Sequence, residues 1–414
     1  MYRSNMLKDC DLIILSLIKW DGPVSSTPYA LAKEFALNNR VFYINHPLSI
    51  KDAFLIDKSP GWSDKFTILK NRYNRPEPLL PNLHTLIPCL TLPINFLPDG
   101  KIYDLLSSFN DLLLFELIKR LISDFGIKKY IFINAFDSFC ARKFPTNMLA
   151  PIRKIYHCLD EISEVRYTAA HGIRLEKEMA RSYDFVLASS IALKNKLNPY
   201  SGSIYYLPNG ADTALFNTAQ FNPYNCPDEM VAYRHKKIIG YTGSLEYRTN
   251  IDLLKGIADG HPDKILCILG PVYSEEAIIS GLFDKPNVLY CGSKKLDKLP
   301  AYLRFMDCMI IPFKCNKLTS SIYPLKINEY LAAGKPVVST GFSAEIRSFS
   351  DIIGIADDIG SFNSLINDAI NNDSAELIDN RMVRAGKNSW KVRVAQFWKI
   401  LEEPTFVDTE AVLI

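Results

Sequence analysis

The chain has 414 residues, 48% of them apolar and 22% charged, with a net charge of +3. That length exceeds one ordinary core and predicts two α/β domains of about 200 residues each. The mixed, nearly balanced charge excludes a dedicated nucleic-acid binder, which carries a strong basic bias.

Nine cysteines contain no Cys-x-x-Cys pair, and several, such as Cys267 and Cys308, sit in apolar runs where a thiol packs as a small hydrophobe. This predicts a reducing compartment and no structural zinc. The first apolar run, Leu12 to Ile18, is too short to span a bilayer, and no stretch reaches about 18 apolar residues. The expectation is a soluble cytoplasmic protein, with peripheral contact at the inner face of a membrane as its closest approach to lipid.

Short apolar runs alternate with longer amphipathic ones, the pattern of parallel α/β structure. In the first half, strands are predicted at 12–18, 41–45, 130–134, 154–157, 185–188 and 204–207. Helices are predicted at 28–37, 102–125, 173–182 and 191–197. Residues 50–100 read as irregular loops inserted in the first domain. Periodicity lapses near Asn217–Tyr233, which predicts a linker over 217–236. A second series follows, with strands at 237–241, 265–269, 288–290, 308–312, 337–339 and 354–356. A closing amphipathic helix runs from Ser389 to Leu401. The predicted domains are therefore 1–216 and 237–388, with residues 389–414 as a terminal helix and tail.

In open α/β sheets ligands bind beyond the carboxyl ends of the strands, so the loops there carry the chemistry. One such loop is Gly240-Tyr-Thr-Gly243-Ser244, with Arg248 four residues on. A glycine there lets the backbone approach a ligand, a helix start offers free N–H groups, and Arg248 adds charge. The same residues also suit a tight turn with a surface arginine. Neither a Gly-x-Gly-x-x-Gly fingerprint nor a Gly-Lys-Ser/Thr phosphate loop is present.

A second loop is Ser320-Ser321-Ile-Tyr323-Pro324-Leu325-Lys326-Ile-Asn-Glu329, leading to Gly334-Lys-Pro336-Val-Val. Pro324 suits the first turn of a helix, and Lys326 and Glu329 share one face of it. Such an acid can accept two vicinal hydroxyls, and such a lysine can neutralise a diphosphate. A surface ion pair between the two is the alternative. Leu207-Pro208-Asn209-Gly210 reads first as a turn.

Together these segments resemble the family 4 glycosyltransferases (glycosyltransferase group 1), in particular the teichuronic-acid and surface-polysaccharide type. The resemblance rests on Pro324-Leu-Lys-x-x-Glu329-Tyr-x-Ala-Ala-Gly-x-Pro-Val-Val, with Ala188-Ser189-Ser190, Pro208-Asn209-Gly210-Ala-Asp212, Gly240-Tyr-Thr-Gly243 and Asn388-Ser-Trp390 in support. It implies a GT-B fold, two Rossmann-like domains facing a cleft, with the C-terminal helix crossing back to the first. It implies a retaining enzyme that moves a sugar from a nucleotide-diphosphate sugar (UDP or GDP) to a glycan or lipid-linked acceptor. No cofactor is implied beyond that co-substrate.

By the same resemblance Glu329 binds the nucleotide ribose, Lys326 and Arg248 the diphosphate, and Gly292-Ser293 the base. Gly243, Ser244, Tyr323 and Leu325 complete the donor loops. The family carries two acids separated by seven residues; eight positions before Glu329, where the first would stand, is Ser321. Gly22, in Asp21-Gly22-Pro23, resembles a glycine loop facing the diphosphate. In Tyr156-His157-Cys-Leu-Asp160-Glu161, Asp160 is preferred over His157 as the polar group near the reacting carbon, with a helix cap as its alternative role. The Asp-x-Asp motif Asp9-Cys-Asp11 precedes the first strand, at the wrong end for a metal–diphosphate site, so a metal-independent reaction is expected. A nucleotide-sugar 2-epimerase and a catalytically silent nucleotide-binding partner are the competing readings. The stretch from Phe66 to Leu97 mixes bases, aromatics and aliphatics and reads either as a membrane-surface segment or as a buried loop.

Overall fold

A computed structural model of the chain describes residues 9–20, 26–51, 76–88, 90–164 and 166–402. The chain divides into two compact units, Met1–Leu207 with Val394–Ile414, and Pro208–Arg393.

Unit 1 is built on an eight-stranded sheet in the order β3-β4-β2-β1-β5-β6-β7-β8. The strands are β1 (Asp11–Ser16), β2 (Val41–Asn45), β3 (Glu77–Leu80), β4 (Leu83–Leu86), β5 (Tyr130–Ala135), β6 (Arg153–Cys158), β7 (Phe185–Ala188) and β8 (Ile204–Tyr206). All neighbours run parallel except β3 and β4. Their continuous apolar runs follow from burial on both faces, because crossover helices cover a parallel sheet from each side. Leu12, Ile13, Ile14 and Leu15 are all buried, as are Val41 to Ile44.

Residues 50–100, expected as irregular loops, contribute β3 and β4, and β4 extends the parallel sheet beside β2. The alternation Leu83-His-Thr-Leu86 was too short to stand out, yet Leu83, Thr85 and Leu86 are buried in that register. Of the candidate membrane-surface segment, residues 66–75 and 89 lie outside the described residues. In the remainder Leu83, Leu86 and Ile94 pack inward, while Phe96 is exposed. No helix among the described residues is long and apolar enough to cross a membrane.

Unit 2 carries a six-stranded, wholly parallel sheet in the order β11-β10-β9-β12-β13-β14. Its strands are β9 (Ile238–Thr242), β10 (Ile265–Leu269), β11 (Val288–Tyr290), β12 (Cys308–Ile311), β13 (Val337–Thr340) and β14 (Gly354–Ala356).

The division falls at Pro208, not in the expected linker 217–236. That segment is helical over Thr213–Phe221 and Asp228–Val231 and belongs to unit 2. Phe216 and Met230 enter its core, and the Gln220 amide donates to the Ala333 carbonyl at 2.7 Å. Polar composition misled here because one face of a short helix suffices for docking. The closing helix, Trp390–Glu402, passes from unit 2 to unit 1, where Phe397 lies 4.8 Å from Phe35 in an edge-to-face contact.

Candidate functional site

In unit 2 three neighbouring strands end in glycines that are tied to one another. After β9, the Gly243 N–H donates to the Leu269 carbonyl at 2.7 Å; after β10, the Gly270 N–H donates to the Gly292 carbonyl at 2.9 Å. Gly270 has φ 142°, and a Cβ there would lie 2.2 Å from the Gly243 carbonyl oxygen. No side chain fits between these loops. Gly243 has φ 127°, and its own Cβ would lie 2.2 Å from Lys326 Cε and 2.5 Å from Lys326 Nζ. The missing side chain is what admits the lysine to the strand end.

Lys326 and Glu329 sit on the helix Leu325–Ala332, whose N-cap is Pro324. The proline stands one place earlier than expected, still where its missing N–H costs nothing. Lys326 Nζ lies 5.2 Å from the Phe313 ring centroid and 5.4 Å from that of Tyr241. Arg248 Cζ lies 5.5 Å from Phe313, so that ring stands beside two cations. Glu246 accepts from Arg248 and, at 2.7 Å, from the Ser244 hydroxyl.

Among the described residues Lys326 and Glu329 make no ion pair with each other, contrary to the surface-pair alternative. Burial and then Arg248 lower the Lys326 ammonium to about 8. Burial raises the Glu329 carboxyl against the pull of Lys326, with Asp212 adding to the rise. A desolvated ammonium without a carboxylate partner, at a glycine-lined strand end, is a place for an anion.

Ser293 follows Gly292 directly, on the loop after β11. Tyr323 is buried, and its carbonyl accepts from the Asn209 amide at 2.9 Å, which docks the 208–212 turn beside the helix carrying Lys326. Gly210 completes that turn against the Trp390 ring, 3.0 Å from where its Cβ would be. Ser321 is buried, with its hydroxyl donating to the Leu318 carbonyl at 2.7 Å. Tyr330, missed by the sequence reading, holds the end of β9: its hydroxyl accepts from the Thr242 N–H at 2.9 Å. Gly270 was missed as well, though a glycine directly after the strand Ile265–Leu269 was its signal.

The remaining candidates belong to unit 1. His157 lies within β6, fully buried, and burial depresses its imidazole to about 3. Its Nε2 has no hydrogen-bond partner. Asp160 follows the strand, and its carboxylate accepts from the Glu161 N–H at 2.9 Å. Gly22 lies outside the described residues. Asp11 opens β1 and is paired with Arg40 at 2.7 Å, at the amino end of the sheet. The one group of potential metal ligands among the described residues is His46, Asp137 and Cys140, with ligand atoms within 4.8 Å of one another.

A cavity of about 920 Å³ opens at the other end of the unit 2 sheet, lined by Lys237, Arg304, Asp307 and Lys335 among others. Two of its lysines are engaged, Lys237 with Asp307 at 2.8 Å and Lys335 with the Arg304 carbonyl at 3.0 Å. Its place at the amino ends of β9, β12 and β13 argues against a ligand role.

Residues 236–372 match the family Glycosyl transferases group 1. A teichuronic acid biosynthesis glycosyltransferase by name, TuaH of Bacillus subtilis (strain 168), is 28% identical over 147 residues. That match takes in 35% of this chain and 36% of TuaH, so the chain matches about a third of this relative's length. Among solved structures, sucrose-phosphate synthase from Thermosynechococcus elongatus superposes with a TM-score of 0.66 at 13% identity, over 95% of this chain and 98% of that one. HepE of Anabaena, in complex with UDP and glucose, gives 0.60 at 13% identity, over 94% and 98%. The fold is GT-B, and the residues that match Glycosyl transferases group 1 all lie within unit 2.

Proposed function

We propose that the chain is a glycosyltransferase that takes a sugar from a nucleoside-diphosphate sugar and passes it to a glycan or lipid-linked acceptor in surface-polysaccharide synthesis. The observation that carries this reading is the apposition of Lys326 to the side-chain-free strand end at Gly243, with Arg248 across the Phe313 ring. Two cations at a strand end without side chains suit a diphosphate, Lys326 outside any ion pair among the described residues and Arg248 shared with Glu246. They also suit its departure, since charge grows on the leaving group as the glycosidic bond breaks. Glu329, one helical turn from Lys326, is the acid for the ribose hydroxyls.

The group 1 domain and the TuaH match support the transferase class, and the UDP-bound HepE neighbour supports a uridine nucleotide as the first donor to try. The resemblance to family 4 supports retention at the anomeric carbon. The cations support a reaction that survives excess chelator.

One observation favours a second reading, a nucleotide-binding partner without activity. Where the family has its first acid, Ser321 turns its hydroxyl to its own loop and offers no carboxylate. Single-turnover incubation with UDP-sugars tests both readings. Donor cleavage or transfer, with the product anomer assigned by NMR, supports the enzyme. Tight UDP binding with no cleavage of any donor replaces it by the silent partner.

A further inference from the structure

We propose that His46, Asp137 and Cys140 form a binding site for a divalent zinc ion, which staples the carboxyl ends of β2 and β5 in unit 1. The site shares no residue with the Lys326 edge of unit 2. It therefore goes beyond the transferase reading and adds a metal that the diphosphate argument does not use.

The ligands come from two distant segments, brought together by the sheet. His46 follows β2 directly, and its backbone N–H donates to the Ser16 carbonyl at the end of β1 at 2.8 Å. Asp137 and Cys140 stand in the loop after β5, on the other side of β1. His46 Nδ1 lies 2.6 Å from Asp137 Oδ2 and 4.0 Å from Cys140 Sγ. All three ligand atoms lie within 4.8 Å of one another. Zinc bonds of about 2.0–2.3 Å put tetrahedral ligand atoms about 3.3–3.7 Å apart, so adjustments of about 1 Å turn this cluster into a coordination shell. Only Nδ1 of the imidazole changes partner, and the further contact of His46 stays as it is.

The loop after β5 is held so as to present these atoms. Asn134 clamps the backbone of both loop ligands: its Oδ1 accepts the Asp137 N–H at 2.8 Å, and its Nδ2 donates to the Asp137 and Cys140 carbonyls at 2.8 and 3.0 Å. Asp137 Oδ1 accepts the Phe139 N–H at 3.2 Å, which leaves Oδ2 to face His46 or a cation. Phe136, with φ 65°, and Ala141, with φ 61°, bracket the two ligands in left-handed backbone. Such backbone persists only where its surroundings over-determine it. Here Asp111 accepts the Ala141 N–H and the Tyr183 hydroxyl donates to the Ala141 carbonyl, both at 2.7 Å. Asp137 and Cys140 are buried, while the His46 side chain is 25% exposed, so a cation enters past the imidazole.

A second observation points to a ligand in this loop. Ser138 stands between the two loop ligands, and its Oγ is buried with no hydrogen-bond partner. Buried polar atoms almost always have one. Three protein ligands leave a fourth position on the metal to water, and a bound water is the partner that this hydroxyl lacks.

The donor set selects the ion. Magnesium and calcium take oxygen ligands, whereas one imidazole nitrogen, one carboxylate oxygen and one thiolate suit zinc. Cys140 binds as the thiolate and releases its proton to solvent. The expectation of no structural zinc came from cysteine spacing, and these ligands stand 91 and 94 residues from His46.

The test uses the full chain, untagged, reduced and stripped of metal with EDTA. After zinc is added and the excess removed by gel filtration, mass spectrometry should find one equivalent, and the melting temperature should rise. Cobalt(II) in its place should give a sulfur-to-cobalt charge-transfer band, which reports the thiolate directly. Cys140→Ser should abolish that band. His46→Gln should weaken zinc by at least the cost of losing an outer-shell partner, about tenfold or more. Cys315→Ser, at the exposed thiol, should change neither. The wild-type stoichiometry and cobalt spectrum decide the matter even where a variant fails to fold. No zinc retained by the wild type, cobalt bound without the band, or a band that survives Cys140→Ser or vanishes with Cys315→Ser overturns the site.

Discussion

The carboxyl ends of the two sheets are built by opposite means. In unit 2 the strand ends are stripped of side chains: Gly243, Gly270 and Gly292 bring backbone to backbone, and the charge comes in from elsewhere on Lys326 and Arg248. In unit 1 the strand ends are crowded with polar side chains, and strained backbone at Phe136 and Ala141 holds Asp137 against His46. An anion can be held by amides and cations with little side-chain detail, so glycine is the residue that matters. In unit 1 the direction of each polar group is fixed by its neighbours instead, so clamped side chains decide what that edge presents.

The largest way to break this contrast is to give unit 2 a side chain. Gly270→Ala places a Cβ 2.2 Å from the Gly243 carbonyl oxygen at a φ of 142°. Backbone strain of about 1–3 kcal/mol and overpacking of similar size should together cost about 2–5 kcal/mol. Urea unfolding followed by unit 2 fluorescence should show it, and UDP binding should fall with it. Unchanged stability and binding would mean that the three glycines are not a built site.

Next in size is the charge brought to that edge. Lys326→Ala should weaken UDP by about 1.5–3 kcal/mol, roughly ten- to 150-fold, and uridine hardly at all. Calorimetry with the two ligands reads the difference, and an equal loss for both would assign Lys326 to packing. Glu329→Gln should cost UDP about 1.5 kcal/mol, roughly tenfold, and 2′-deoxy-UDP much less. Equal affinity of wild type and variant for both nucleotides would remove Glu329 from the ribose.

The contrast also explains what was legible in the sequence. The strands of both sheets were readable because parallel strands buried on two faces are continuous apolar runs, such as Leu12–Leu15 and Ile265–Leu269. The unit 2 edge was readable in part, because glycine after a strand and Lys-x-x-Glu at a helix start are local patterns. Gly270 escaped because its requirement comes from Gly243, a neighbour in space across 27 residues of chain. The unit 1 edge was almost invisible: His46 and Asp137 lie 91 residues apart, and the demand on each is made by the other. Asp160 was legible as a polar residue directly after a strand, and its carboxylate accepts the adjacent N–H. The linker expected at 217–236 failed for a similar reason, since Phe216, Gln220 and Met230 are specified by the core they dock on.

The smallest effect sharpens the contrast most, because it titrates the charge without removing the side chain. Burial and Arg248 hold Lys326 down to about 8, well below an ordinary lysine. The diphosphate needs the protonated amine, so affinity should be nearly flat below pH 7 and fall as the amine loses its proton. At pH 8 about half the amine is neutral, so UDP should bind roughly twofold more weakly than at pH 7. Uridine should show no such change. The ligand-free stability runs the other way. A cation whose folded value is lowered favours unfolding while it is charged, so this group's contribution should rise from about pH 8 toward the ordinary lysine value. Lys326→Arg, charged throughout, should flatten the UDP profile while keeping affinity at pH 7 within about tenfold of the wild type. A wild-type profile already flat from pH 7 to 9 would place the diphosphate elsewhere and leave the glycine edge of unit 2 without its cation.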